Sequence, residues 1–333
     1  MRAVVITKHG GPDVLQVQER PDPTPGPGQV RIAVGAAGLN FAEVMARMGL
    51  YADAPKTPCV VGYEVAGTIA ELGEGVSGVA VGDRVIAGTQ FGGHAEQVVV
   101  GADDVIPLPD ALSFEQGAAI PVNYATAYAG LIAYGNVQPG ERVLIQAAAG
   151  GVGIAATQIG KLHGVELWGT SSPSKHNAIR GFGVDHPVDY TRDGWERDLP
   201  SFDLIMDAIG GESFNRSYKM LRAGGRLVAF GASSVVSGEK RNLLKAAPKA
   251  LRMVRGFNLI EQMGASKAVI GLNMLSLWKD RGTLEPWITP LQELLGDGRL
   301  TPVVSDAVPF DRAADAHRII TERRNIGKVV LVP

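Results

Sequence analysis

The sequence predicts an α/β protein of two domains, a small all-β domain and a doubly wound parallel sheet. Three observations lead there. The chain has 333 residues, and domains average about 150. Over residues 1–120 short apolar runs alternate with Gly and Pro. Beyond residue 140 the rhythm changes, and apolar strands alternate with helical patterns, as in a parallel sheet.

In the first part, 4–6, 30–34, 65–69, 84–87 and 96–100 are strand-sized runs bounded by turn residues, which suits a small barrel or sandwich-like domain. Pro21, Pro23, Pro25 and Pro27 form an extended connector before one of them. In the second part, strands are expected at 142–147, 165–169, 187–190, 203–207 and 226–231. Helices are expected at 152–162, 174–182 and 213–221. The tail ends in a strand over 328–332, and no internal repeat or low-complexity segment is visible.

Apolar residues make up 45% of the chain, enough for a sizeable core. Gly (43) and Pro (20) are more frequent than usual but below the level of disordered chains, so tight turns are expected. The net charge of −2 argues against binding nucleic acid through an overall field. The single cysteine, Cys59, excludes an intrachain disulfide and a Cys-rich zinc cluster, and fits a reducing cytoplasm. No secretory signal is visible, since only Ala3 to Ile6 are apolar after Arg2. Residues 116–140 and 143–160 lack charge, but Pro121, Asn123, Thr126, Gln146, Gln158 and several glycines interrupt them. They read as buried elements of a soluble core, since a spanning helix takes about 20 mostly apolar residues.

The sharpest motif is Ala147-Ala148-Ala149-Gly150-Gly151-Val152-Gly153, set between a strand and a helix. Small residues there let the backbone approach a pyrophosphate, and the helix start offers open N–H groups and a positive dipole end. Ala149, Gly150, Gly151, Val152 and Gly153 are therefore cofactor candidates, although the first glycine of the usual G-x-G-x-x-G is absent. The second strand ends in Ser171-Ser172 with Lys175 beyond, and no acid. Hydroxyls and an ammonium suit a 2′-phosphate, which points to NADPH rather than NADH.

Gly140-Glu141-x-x-Leu144, the alanine-glycine turn, Gln158 and Lys161 resemble the signature of zinc-independent, zeta-crystallin-like quinone oxidoreductases of the medium-chain dehydrogenase/reductase superfamily. Gly62-Tyr63-Glu64-Val65-Ala66-Gly67, Gly73, Val76 and Gly82-Asp83-Arg84-Val85 resemble the superfamily's first domain. Gly38-Leu39-Asn40-Phe41-Ala42, Met45-Ala46-Arg47, Gly49-Leu50-Tyr51, Val122-Asn123-Tyr124, Lys240-Arg241-Asn242-Leu243 and Asn325-Ile326-Gly327-Lys328-Val329 are similar to the branch containing the vesicle amine transport protein. The resemblance implies a GroES-like β-barrel catalytic domain over 1–122 and 270–333 and a Rossmann domain over 123–269. It also implies a homodimer formed through an edge strand near 268–274. Asn40, Thr126, Tyr190, Phe230, Gly231, Ser233, Asn325 and Lys328 match positions that line the dinucleotide in this family, and 207–211 lies at a strand end where ligands sit.

Zinc-dependent relatives place ligands where this chain has Asn40, Tyr63 and Val122, none of which supplies thiolate or imidazole, so no metal is expected. Without a Lewis acid, ordinary alcohol oxidation is disfavoured. Hydride delivery to an already electrophilic acceptor remains, aided by hydrogen-bond donors at the oxygen that gains charge. Asn40, Tyr51 and Tyr63 are the candidate donors. Residues 240–255 carry Lys240, Arg241, Lys245, Lys249, Arg252 and Arg255 with no acid. They read as a solvated helix packed by leucines, as a rim for anionic ligands, or as a contact for anionic lipid. The function expected is a cytoplasmic, zinc-independent NADPH-dependent reductase of quinones or related conjugated carbonyls. Enone or enal C=C reduction and an NADPH-binding membrane-associated scaffold are the alternatives.

Overall fold

The computed structural model describes residues 1–236 and 258–333. The basic segment 240–255 lies outside the described residues. The chain divides into two compact units: Met1–Ala125 with Leu275–Pro333, and a second unit described over 126–236 and 258–274.

The first unit is β-rich. Strands β1 (Arg2–Ile6), β2 (Leu15–Glu19) and β4 (Cys59–Val60) form a three-stranded antiparallel sheet. The strands β3 (Gln29–Leu39), β5 (Glu64–Leu72), β6 (Arg84–Gly88), β8 (Val105–Pro107), β15 (Val304–Pro309) and β16 (Lys328–Val332) run in the order β15-β16-β3-β5-β6-β8. Strand β7 (Gln97–Gly101) pairs with β3. Alternation along β3 turns Val30, Ile32 and Val34 onto Val65, Ile69 and Val85, which is the period-two burial that makes a barrel core. A second core forms where Leu39, Val329 and Leu331 meet Phe310 and Ala316 of the C-terminal segment.

Two register facts position the site. Strand β16 pairs antiparallel with the end of β3, Val329 opposite Leu39, so Lys328 arrives beside Asn40. Strand β5 pairs with the same end of β3, Val65 opposite Ala37, so Glu64 arrives beside Gly38. A Cβ on Gly38 would fall 2.5 Å from Glu64 Oε1, so glycine leaves the space that this carboxylate occupies. The chain then enters helix α1 (Phe41–Arg47) with Asn40 at its N-cap, and the Glu43 carboxylate accepts the Asn40 N–H at 2.9 Å.

Of the uncharged stretch 116–140, the part up to Leu131 forms largely buried elements, α2 (Phe114–Gly117), α3 (Pro121–Tyr128) and the start of a π-turn over Ala129–Ala133, while most of 133–140 is exposed. Among the described residues no helix is long and apolar enough to cross a membrane.

The second unit is a six-stranded, all-parallel sheet in the order β11-β10-β9-β12-β13-β14. The strands are β9 (Arg142–Ile145), β10 (Glu166–Ser171), β11 (His186–Asp189), β12 (Phe202–Asp207), β13 (Leu221–Ala229) and β14 (Ala268–Gly271). Helices α4 (Gly151–Leu162), α5 (His176–Phe182) and α6 (Glu212–Met220) intervene. This is the Rossmann order, which reverses between β9 and β12 and opens a crevice at their carboxyl ends. Strand β12 is buried along its whole length, as a central parallel strand covered on both faces should be. The expected α/β class, a β-rich part and a doubly wound parallel sheet, is the one found.

Candidate active site

The first unit gathers its polar groups around Glu64, which is fully buried. Its Oε2 accepts the N–H of Val122 at 2.7 Å, its Oε1 accepts Asn40 Nδ2 at 3.0 Å, and the Lys328 ammonium pairs with the same oxygen. Lys328 also donates to Asn40 Oδ1 at 2.5 Å, and Asn40 Nδ2 makes a longer bond to Glu43 Oε1 at 3.3 Å. Asn40 is therefore held at both ends of its amide. Lys328, expected to line a dinucleotide, is almost fully buried with its ammonium on Glu64 and Asn40. Burial pushes the Glu43 carboxyl up to about 8, against the pull of Lys328.

Beside this network stand three aromatic rings. Tyr51 meets Tyr63 edge-on with centroids 6.2 Å apart, and Phe91 tilts against Tyr63 at 5.2 Å. Tyr51 and Phe91 pack on the apolar cluster of Ile6, Val14, Ala46 and Val61. Tyr63 is only 7% exposed, and its hydroxyl oxygen is buried with no hydrogen-bond partner among the described residues. The Tyr51 hydroxyl is near enough to influence it but does not reach hydrogen-bonding geometry. Burial, with the Glu43 charge behind it, holds the Tyr63 phenol well above its ordinary value, and burial also raises Tyr51. The phenol of Tyr63 is thus a neutral donor. His94 is fully buried against the carbonyl of Gly38 at 3.1 Å, and burial lowers it to about 4. Among the described residues no group of three or more His, Cys, Asp or Glu is placed to hold a metal ion.

In the second unit the alanine-glycine turn follows β9 as the sequence predicts. Ala147 adopts φ +58°, a left-handed conformation that glycine takes without strain, and the missing first glycine of the motif falls at the next position, Ala148. Gly150 caps α4 without a side-chain hydrogen bond, so the helix start presents its first N–H groups to an incoming acceptor. A Cβ on Gly153 would fall 2.5 Å from the Ala147 carbonyl oxygen, so this position admits only glycine. These features fit a dinucleotide pyrophosphate. Ser171 ends β10, Ser172 and Lys175 follow it, and Tyr190 lies exposed just past β11. Burial lowers the Lys175 ammonium. The loops 207–211 and 229–233 lie against each other, with the Phe230 N–H on the Asp207 carbonyl at 3.0 Å and the Ser233 N–H on that of Ala208 at 3.1 Å. Gly231 is part of the second loop. Thr126 is buried in α3, and Asn325 Nδ2 donates to the Gly327 carbonyl at 2.8 Å in the first unit.

The sequence reading singled out Asn40 and Lys328 but not their pairing with Glu64, nor Glu43 or Phe91. The spacing Asn40-x-x-Glu43 carries a capping-box signal that could have found the first. The pairing of Glu64 with Lys328 carries no local signal.

Comparison with known proteins places the chain. Residues 26–110 match the alcohol dehydrogenase GroES-like domain, and residues 182–331 match the zinc-binding dehydrogenase family. The chain belongs to the medium-chain dehydrogenase/reductase superfamily of oxidoreductases. The synaptic vesicle membrane protein VAT-1 homolog of Rattus norvegicus is 38% identical over 341 aligned positions, covering 100% of this chain and 84% of the relative. Among solved structures, the Escherichia coli quinone oxidoreductase complexed with NADPH is similar at TM-score 0.87 and 29% identity, covering 100% of both chains. The CurK enoyl reductase is similar at TM-score 0.85 and 26% identity, covering 99% of this chain and 98% of that one.

Proposed function

We propose that this protein is a zinc-independent, NADPH-dependent reductase that delivers hydride to quinones or related conjugated carbonyls. The observation that carries this reading is the Tyr63 hydroxyl, a neutral donor buried among aromatic rings with no partner in hydrogen-bonding geometry among the described residues. An acceptor oxygen supplies the missing partner. As that oxygen gains negative charge the hydrogen bond strengthens, which is stabilisation given to the transition state rather than to the substrate.

NADPH, when bound, supplies the hydride. The chain does the rest. The open N–H groups of Gly151, Val152 and Gly153 receive the pyrophosphate, and Ser171, Ser172 and Lys175 receive the 2′-phosphate. Tyr190, Phe230, Gly231 and Ser233 border the same strand ends. Tyr51 and Phe91 offer flat apolar surface to a planar acceptor. Asn40 is held rigid by Glu43, Glu64 and Lys328 and keeps the start of α1 in place behind Tyr63. Amide, phenol and valine at Asn40, Tyr63 and Val122 are poor zinc ligands, which supports chemistry without the metal. The similarity to an NADPH-bound quinone oxidoreductase supports both the cofactor and the acceptor class.

Reduction of an enone or enal C=C bond is the second reading. The similarity to an enoyl reductase favours it, and one carbonyl oxygen needs only a donor such as the Tyr63 hydroxyl. We also propose a cytoplasmic homodimer joined at β14, the outer strand of its sheet, which equilibrium sedimentation would test.

The deciding experiment is steady-state NADPH oxidation in the presence of chelator, with benzoquinone, 9,10-phenanthrenequinone, an enone and an ordinary aldehyde. Turnover on quinone or enone but not aldehyde is expected, and the preferred acceptor chooses between the two readings. Tight NADPH binding with no turnover on any acceptor would overturn both in favour of a binding protein.

A further inference from the structure

The carboxyl ends of three parallel strands, β9, β10 and β12, are joined by side chains that the proposed reaction does not use. Ala147, in the glycine turn after β9, donates its N–H to Thr170 Oγ1 at 3.0 Å. The Thr170 hydroxyl donates to Gln146 Oε1 at 2.9 Å, and Gln146 Nε2 donates to Ser217 Oγ on α6 at 3.4 Å. The Ser217 hydroxyl donates to Asp207 Oδ2 at 2.7 Å, as does that of Ser213. The other carboxylate oxygen accepts the N–H groups of Ile209 at 2.7 Å and Gly210 at 3.3 Å. Every donor in the chain therefore points the same way, toward one carboxylate at the end of β12.

The members Gln146, Thr170, Ser217 and Asp207 are at most 4% exposed. In so dry a setting each hydrogen bond is strengthened by its neighbours, and each broken one leaves a costly orphan. The chain spans β9, β10 and β12, and the Asp207 carbonyl extends it to the loop after β13 through Phe230. It begins at Ala147, whose left-handed backbone is a strained conformation that persists only where its surroundings over-determine it.

We propose that Asp207 is a positioning residue of the dinucleotide site, acting through Ser217, Gln146 and Thr170 to hold the 147–153 turn in its binding conformation before the cofactor arrives. A turn ordered in advance does not lose conformational freedom on binding, so the gain appears as affinity. The proposal rests on the reading that this turn holds NADPH. The hydrogen-bond coupling itself is a property of the free protein.

The test uses Ser217→Ala, which lies on α6 and away from the turn, with Ser217→Thr as the conservative control. Amide hydrogen exchange of the cofactor-free protein is measured residue by residue, and NADPH affinity by fluorescence titration. Expected is faster exchange at residues 147–150 and a roughly tenfold weaker NADPH affinity, the fold-change of one buried hydrogen bond. The kinetic loss should fall mainly in KM for NADPH, and Ser217→Thr should restore both readouts. Exchange that accelerates only within Glu212–Met220, with affinity unchanged, overturns the proposal. Should Ser217→Ala fail to fold, Thr170→Val at the other end of the chain must accelerate exchange at 207–211, and its failure to do so is equally fatal. A wild-type protein that binds no NADPH sinks the proposed function, while the exchange data still decide the coupling.

Discussion

Lys328 Nζ donates to Asn40 Oδ1 at 2.5 Å, although 288 positions separate the two residues in the chain. With its oxygen fixed by the ammonium, the Asn40 amide turns its Nδ2 toward Glu64 and Glu43. Its orientation is thereby set by charge on both sides, and the three segments that begin α1, β5 and β16 are locked to one another.

Removing one partner of that lock should be far worse than removing two. Lys328→Met leaves the Glu64 carboxylate buried without its cation, a loss of about 3–5 kcal/mol. Glu64→Gln together with Lys328→Met removes both charges and keeps an acceptor for the Val122 N–H, so much of the loss should return. Urea unfolding of the four proteins of this cycle gives the coupling directly, and additive single losses would contradict the buried pair.

Two fully buried groups should bend the stability curve in opposite directions. Glu43 is raised by burial from 4.5 to about 8. Below 4.5 it is neutral folded and unfolded. Between 4.5 and 8 only the unfolded chain releases the proton, so stability falls as pH rises through that window, by on the order of 5 kcal/mol. His94 is lowered by burial from 6.5 to about 4, so its contribution is complete above 6.5 and is lost as pH falls toward 4. His317, also fully buried and lowered, adds to the acid side. Unfolding followed from pH 4 to 8 should show Glu43→Gln flattening the alkaline slope and leaving the acid one.

Ala147 offers a stabilising substitution. A non-glycine residue in the left-handed region carries about 1–2 kcal/mol of strain, part of which glycine would give back as unfolded-chain entropy. Ala147→Gly should therefore gain about 0.5–1 kcal/mol, visible as a rise in Tm, since its N–H bond to Thr170 is preserved. A loss of stability would mean that the methyl group packs usefully.

The second unit was the more legible in sequence, because its signals are local. The helix expected at 152–162 is Gly151–Leu162, and the strand expected at 203–207 is Phe202–Asp207. Each is an apolar run ended by its own turn residues. Strand β13 was expected at 226–231 but runs Leu221–Ala229, because Gly224 and Gly225 hide a bulged continuation that only pairing with β12 reveals. In the first unit β3 was expected at 30–34 but runs Gln29–Leu39. Its second half is Gly and Ala, which have no hydropathic alternation to read, and those small residues are what admit Glu64 and the neighbouring strand. Tyr63 and Asn40 were visible as candidates through the resemblance. That the Tyr63 hydroxyl has no partner among the described residues while the Asn40 amide is fully engaged follows from long-range pairing, to which single-sequence patterns are blind.

Lys175 should separate the two nicotinamide cofactors. If its ammonium meets a 2′-phosphate, Lys175→Ala removes a charge-assisted contact and should weaken NADPH by roughly 10–100-fold. NADH, lacking that phosphate, should be nearly unaffected. Parallel titrations with the two cofactors measure the ratio, and an equal loss for both would move the 2′-phosphate away from this residue.

Tyr63→Phe separates function from structure most cleanly. An ordinary buried tyrosine loses a hydrogen bond on this change, and the protein loses about 1 kcal/mol. Here the hydroxyl has no partner among the described residues, so its removal relieves an unpaired polar group and should leave stability equal or slightly higher. Ring packing against Tyr51 and Phe91 is retained. Turnover should behave otherwise: loss of one donor to a developing oxyanion costs up to about 10²–10³ in kcat, with little change in NADPH affinity. Unfolding midpoints and steady-state kinetics on the same preparation read both quantities. A Tyr63→Phe protein as stable as wild type and as fast on every quinone and enone would remove Tyr63 from the reaction, and with it the observation on which the reductase mechanism stands.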